Sequence, residues 1–208
     1  MTIRKGEPWG EPGALPSDGA LVRTDAEARR LVEEARGRGG ELPVLGLLGG
    51  DLCRTVGGRG DVDRLRGPDA MTLPVDLGIA VLDGVEHAFV AHVVVREPWA
   101  RGGWWRGPVT AVMNAQWLGS WDVAPRSHPN DGLLDRCEGD LSLDDRWKAR
   151  GRLPSGTHVP HPGIAEQRSA EHRIVRPRPT PVWLDGELVG TAREIVVTVE
   201  PDALRCVV

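Results

Sequence analysis

No stretch of this chain is apolar for long enough to cross a bilayer as a helix. Tyrosine is absent and phenylalanine occurs once, so the aromatic character rests almost wholly on eight tryptophans. Cysteine is scarce. Cys53, Cys137 and Cys206 are odd in number, far apart and in no metal-like spacing, which excludes a disulfide framework and predicts a reduced, intracellular protein. Positive charge is not in excess either: the formal net charge is −4 and the pI about 5.9, which argues against a general nucleic-acid binder. The segment from Met1 to Pro8 has no apolar core of a signal peptide. These absences together predict a cytoplasmic protein.

What is present fits one domain, or one and a half, in 208 residues. Residues 1–19 are rich in glycine and proline and read as an irregular arm. Residues 20–68 read as a partial α/β piece. Ala20 to Thr24 is a short strand, and Thr24 or Asp25 can cap a helix from Ala26 to about Arg36. Ala28, Leu31, Val32 and Ala35 recur at helical spacing, so one face is buried. Pro43 to Leu48 is apolar without alternation, as in a buried parallel strand, and Gly49-Gly50-Asp51 turns into a short helix, Leu52 to Val56. From 69 to 208 the texture becomes that of an antiparallel β domain. Thr72 to Leu82, Val85 to Val95 and Val109 to Ala115 read as strands, and Asp83-Gly84 and Asp185-Gly186 as hairpin turns. Leu133 to Cys137, Arg173 to Arg176, Pro181 to Leu184, Glu194 to Val199 and Ala203 to Val208 are further strands, with a helix near Leu141 to Arg150. The fold class is α+β: a small partial α/β lobe followed by an antiparallel β-sandwich.

Two turns carry chemistry. In Ser127-His128-Pro129-Asn130-Asp131-Gly132-Leu133, the Asn-Asp-Gly sequence bends the chain tightly, and Asp131 with neighbouring carbonyls suits a hard cation. In Trp183-Leu184-Asp185-Gly186-Glu187, two acids one residue apart close an apolar strand; one could take a proton from a hydroxyl. Each, alone, is most simply a solvated turn. Trp99, Arg101, Trp104, Trp105 and Arg106 lie in a Gly/Pro-rich loop that suits either a membrane interface or burial against the β domain. His158 and His161 lack a nearby acid or cysteine motif and read as a poor metal pair.

In order, Val75-Asp76-Leu77-Gly78, Asn114, Gly119, Ala124-Pro125, Asn130-Asp131-Gly132-Leu133-Leu134-Asp135, Leu184-Asp185-Gly186-Glu187 and Val199 to Arg205 resemble the diacylglycerol kinase-like lipid kinases, relatives in fold of NAD kinases and sphingosine kinases. The resemblance spans roughly Pro43 to Val208. It implies a structural Mg2+ on Asp131 with the carbonyls of His128 and Leu133, and a catalytic base in Asp185 or Glu187. It also implies a nucleotide site at Asp25, Gly49, Gly50 and Asp51, reduced from the family's Gly-Gly-Asp-Gly-Thr and Gly-Thr-Gly-Asn-Asp loops to Arg23-Thr24-Asp25-Ala26-Glu27 and Gly49-Gly50-Asp51.

Those glycines let backbone N–H groups approach phosphate, and Ala26 and Glu27 crowd and repel it, which argues against ATP. The expectation is a degenerate lipid-kinase homologue, a non-catalytic lipid- or nucleotide-binding module. The alternative is an active lipid kinase whose missing nucleotide lobe comes from a homo-oligomer or a partner chain. The expected partner is a lipid or membrane surface, met through the Trp99–Trp105 loop, with the protein peripheral to the membrane.

Overall fold

A computed structural model describes residues 9–208. Residues 1–8 of the expected arm lie outside the described residues. The rest of the arm is anchored: β1 (Glu11–Pro12) pairs with Met71 and Thr72, and the Trp9 indole donates to the Pro74 carbonyl at 3.1 Å. Then β2 (Ala20–Val22), α1 (Asp25–Gly37) and β3 (Val44–Leu47) form a β-α-β unit whose two strands are parallel. Two short helices follow, α2 (Asp51–Thr55) and α3 (Val62–Arg66). Val32 and Ala28 on α1 are fully buried with Leu45, Leu47 and Leu52, the apolar face that the helical spacing predicts.

The antiparallel part begins with β4 (Met71–Leu82), β5 (Val85–Phe89), β6 (His92–Val95) and β7 (Val109–Met113). A small ribbon, β8 (Trp117–Leu118) and β9 (Trp121–Asp122), precedes β10 (Leu134–Gly139). Helix α4 (Leu143–Arg152) leads to β11 (Ile164–Ser169), β12 (Glu171–Leu184) and β13 (Glu187–Val207). The main path of the sheet runs β1-β4-β13-β12-β6-β7-β10-β11, with β5 on β4 and β2-β3 attached to β13. The C-terminal end of β13 pairs in parallel with β3, Cys206 opposite Leu45, so the β-α-β unit continues the sheet of the β domain. The sandwich interior is filled by Phe89, Val95, Val112, Leu134, Ile174, Leu184 and Ile195.

Several strands differ from expectation, and β1, β8, β9 and β11 have no expected counterpart. The run Val85 to Val95 breaks at Val90 and Ala91, because those two N–H groups and that of His92 turn to the Asp185 carboxylate instead of a strand partner. Arg173–Arg176 and Pro181–Leu184 are one strand, β12, whose register against β13 shifts between Val175 and Thr180. Glu194–Val199 and Ala203–Val208 are likewise parts of β13, bulged between Glu200 and Leu204 around Pro201 and Asp202.

Candidate functional site

The first cluster is built where α1 and α2 begin. Thr24 caps α1, its hydroxyl accepting the Glu27 N–H at 3.1 Å. That frees Asp25 for a different cap. Its carboxylate accepts the N–H groups of Asp51 at 2.5 Å and Leu52 at 3.1 Å, the first amides of α2. The glycines before α2 serve this close approach. A Cβ on Gly50, which has φ of 97°, would lie 2.5 Å from Asp25 Oδ1, and one on Gly49 would lie 2.6 Å from the Arg23 carbonyl. The amides that would draw a phosphate are therefore already taken by a side chain of the chain's own.

Asp185 reaches the same region from the β12–β13 hairpin. Asp185 and Gly186 both have positive φ, 50° and 84°, which closes a two-residue turn. The Asp185 carboxylate is buried and accepts three backbone N–H groups: Val90 at 3.0 Å, Ala91 at 2.8 Å and His92 at 3.1 Å. The His92 side chain then meets Asp51, Nε2 to Oδ2 at 3.0 Å, and Asp51 also accepts the Gly119 N–H. So Asp25, Gly50, Asp51 and Asp185 lie in one region of the fold, and His92 joins them through Asp51.

The cluster is electrostatically tight. Burial, helped by the Asp185 charge, pushes the Asp25 pKa up to about 7. Burial also raises that of Asp185, against the pull of His92 and the three amides. For His92, burial pushes the pKa down, but the hydrogen bond to Asp51 and the carboxylates of Asp185, Asp51 and Asp25 together raise it above the ordinary value.

Glu187 does not join this cluster. The turn reverses the chain between Asp185 and Glu187, and the Glu187 carboxylate pairs with Arg29 at 2.7 Å and Arg30 at 2.6 Å on α1. Those guanidiniums hold its pKa below the usual carboxylate range.

The Asn130-Asp131-Gly132 turn lies elsewhere and is anchored by a residue the sequence left without a role. Asp76, fully buried, accepts the N–H groups of Gly132 at 2.7 Å and Asp202 at 2.9 Å. Asn130 donates to Asp202 at 2.8 Å, and buried Asn114 ties β4 to the β5–β6 turn through the carbonyls of Asp76 and Val90. Asp131 accepts the Leu133 N–H at 3.1 Å and forms an ion pair with Arg168 of β11. A guanidinium thus already balances the carboxylate that the resemblance assigns to Mg2+. A cation at Asp131 would have to displace Arg168 from the carboxylate. We expect Mg2+ to leave the melting temperature of the wild type unchanged, while Arg168→Ala destabilises the fold modestly, by about 1 kcal/mol for a partly exposed pair. A Mg2+-dependent rise in wild type that Asp131→Ala abolishes would restore the metal.

A cavity of about 130 Å³ opens between β7, β10 and the cover formed by α4 and the tryptophan loop. Trp104, Trp105, Trp121, Leu118, Leu153 and Ala149 line it, and the buried His158 ring lies in its wall, its pKa lowered by burial. Trp104 meets Trp121 edge to face, centroids 5.1 Å apart. Arg146 fastens the cover: it is buried and donates to the carbonyls of Leu141, Trp104 and Gly107. The tryptophan loop is therefore half folded onto the β domain and half left outside it.

The strands, with hairpin turns at Asp83-Gly84 and Asp185-Gly186, build a β-sandwich domain. Residues 81–208 match the family model described as the YegS C-terminal NAD kinase beta sandwich-like domain, and the chain belongs to that family. Among solved structures, a candidate diacylglycerol kinase from Bacillus anthracis str. Sterne is similar over 89% of this chain and 84% of its own, with TM-score 0.62 and 13% identity. A second candidate diacylglycerol kinase from that organism gives TM-score 0.60 and 12% identity over 89% and 83%. A diacylglycerol kinase, again from B. anthracis str. Sterne, gives TM-score 0.55 and 14% identity over 79% of this chain and 66% of its own. At these identities the likeness establishes the fold alone. No curated protein matches the sequence. Among the described residues no helix is long and apolar enough to cross a membrane.

Proposed function

We propose that this chain is a lipid-binding member of its family that does not transfer phosphate. The observation that carries the reading is the Asp25 carboxylate seated on the first amides of α2, at 2.5 and 3.1 Å. Phosphoryl transfer depends on positioning and on donors aimed at phosphate charge. Here two of those donors are satisfied internally, and the side chain that satisfies them stands where a phosphate oxygen would have to sit. Asp185 is no freer: three of a carboxylate's roughly four acceptor positions are filled by backbone N–H groups. Glu187 is held by two arginines. The lipid half of the reading rests on the apolar cavity. Its volume, about 130 Å³, suits a short stretch of acyl chain entering from its open side.

The test has two arms. With radiolabelled ATP and a panel of lipids including diacylglycerol, we expect no product and no measurable nucleotide binding; turnover in wild type that vanishes in Asp185→Asn would overturn the non-catalytic half. With a fluorescent single-chain fatty acid, we expect saturable binding that Ala149→Trp, which fills the cavity, weakens at least about tenfold. Binding that is absent, or unaffected by the filled cavity, would overturn the lipid half.

A further inference from the structure

We infer that the tryptophan loop and α4 together form a docking surface for an anionic bilayer. Two tryptophans stand out from the cover: Trp99 is 65% exposed and Trp147 on α4 is 70% exposed. Trp105 stacks on Trp147 with centroids 6.1 Å apart, so the loop and α4 present one aromatic face. Soluble proteins seldom leave two indoles this open without a partner surface. An indole is amphipathic and settles at the boundary of headgroups and acyl chains.

Charge selects the partner. The acids of these segments are engaged: Glu97 with Arg178, Asp140 with Arg146, Asp144 with Lys148, and Asp145 at the cap of α4 through Ser142. The exposed cations Arg101, Arg106 and Arg152 have no ion-pair partner among the described residues. Neither has Arg150, whose guanidinium lies over the Trp105 and Trp121 rings at 5.9 and 5.2 Å. A chain of net charge −4 thus keeps a local positive face around its exposed tryptophans. Basic side chains flanking interfacial aromatics complement anionic headgroups. The same face covers the apolar cavity, so a lipid leaving the bilayer enters beside Trp105. This deepens the lipid-binding reading and rests on it for the use the surface serves, not for the docking itself.

The test is flotation with vesicles of phosphatidylcholine alone and of phosphatidylcholine with phosphatidylserine, read also by tryptophan emission. We expect the wild type to float with the anionic vesicles, with a blue shift, and to be released by added salt. Arg101→Gln with Arg106→Gln should weaken that binding roughly twenty-fivefold, from about fivefold for each cation. Trp99→Ala with Trp147→Ala should remove both flotation and blue shift. All four side chains are exposed, and unchanged melting temperatures will certify the fold. No flotation with anionic vesicles, or equal flotation of both variants and wild type, would overturn the proposal and leave the face to a protein partner. The fatty-acid binding arm separates the two readings: cavity binding without flotation sinks only the surface, and flotation without cavity binding sinks only the lipid site.

Discussion

Asp185→Ala is expected to destabilise this protein by about 3–5 kcal/mol, a large share of a typical domain's stability. The carboxylate is buried and is the acceptor for three consecutive backbone N–H groups at the turn between β5 and β6. Alanine leaves all three without a partner. Each orphaned buried amide costs roughly 1–3 kcal/mol, and entry of water at the turn recovers part of the sum. Two effects work the other way. Removing the Asp185 side chain relieves the burial of its own carboxylate, which raises its pKa, and relieves Asp25, whose pKa it helps to raise. Against them stand three hydrogen bonds to consecutive amides, and we expect that loss to win. Asp185→Asn keeps one oxygen, enough for the Ala91 and His92 amides that share Oδ1, and should cost about 1–2 kcal/mol. Urea unfolding of the three proteins at one pH measures the series. If Asp185→Ala is as stable as wild type, the residue is not a fold anchor, and its case as a base reopens.

That pattern also explains which parts of the molecule could be read from residues. The hairpin turns were legible because Asp-Gly at positive φ is a local signal: Asp83-Gly84 and Asp185-Gly186 both close two-residue turns. The β-α-β unit was legible from the Thr24 cap, the spacing of Ala28 and Val32, and the apolar run at Leu45. The order of motifs through the β domain led to the right family. The break of the Val85–Val95 run was not legible, because its cause is a carboxylate some ninety residues further along the chain. His92 was missed for a related reason. A single histidine in Val-Ala-His-Val-Val-Val looks like a core residue until the fold sets Asp51 beside it. Arg168 carries no local signal either; only the pairing of β10 with β11 brings it to Asp131. Asp25 was found as a member of the nucleotide site, while the fold gives it a more specific task, capping α2 from α1.

Asp25 should accordingly give the protein a pH-dependent stability that Asp25→Asn removes. A carboxyl group whose pKa in the fold is about 7, against 3.8 for the free side chain, is taken into the fold more readily when protonated. Its contribution is fully present below about pH 4 and is lost as pH rises through about 7. Complete ionisation costs about 4 kcal/mol, since each tenfold weakening of the acid corresponds to about 1.4 kcal/mol. Asp185 and His92 also have raised pKa values, so their contributions fall in the same direction as pH rises. Glu187 and Glu138 oppose this: their arginine partners hold their pKa values low, and that stabilisation is lost only on acidification. The wild-type curve mixes all of these, whereas the difference from Asp25→Asn isolates the buried acid and the neighbours coupled to it. Asparagine keeps one oxygen for the α2 amides and forfeits the other hydrogen bond, a deficit of about 1 kcal/mol at acid pH. Toward pH 8 the deficit should shrink and reverse, because only the wild type then carries the charge. Denaturant unfolding of both proteins from about pH 4 to about pH 8 at constant ionic strength should therefore give curves that cross. Parallel curves would mean that Asp25 is ionised throughout, and that the amides of Asp51 and Leu52 stabilise its charge more strongly than burial opposes it.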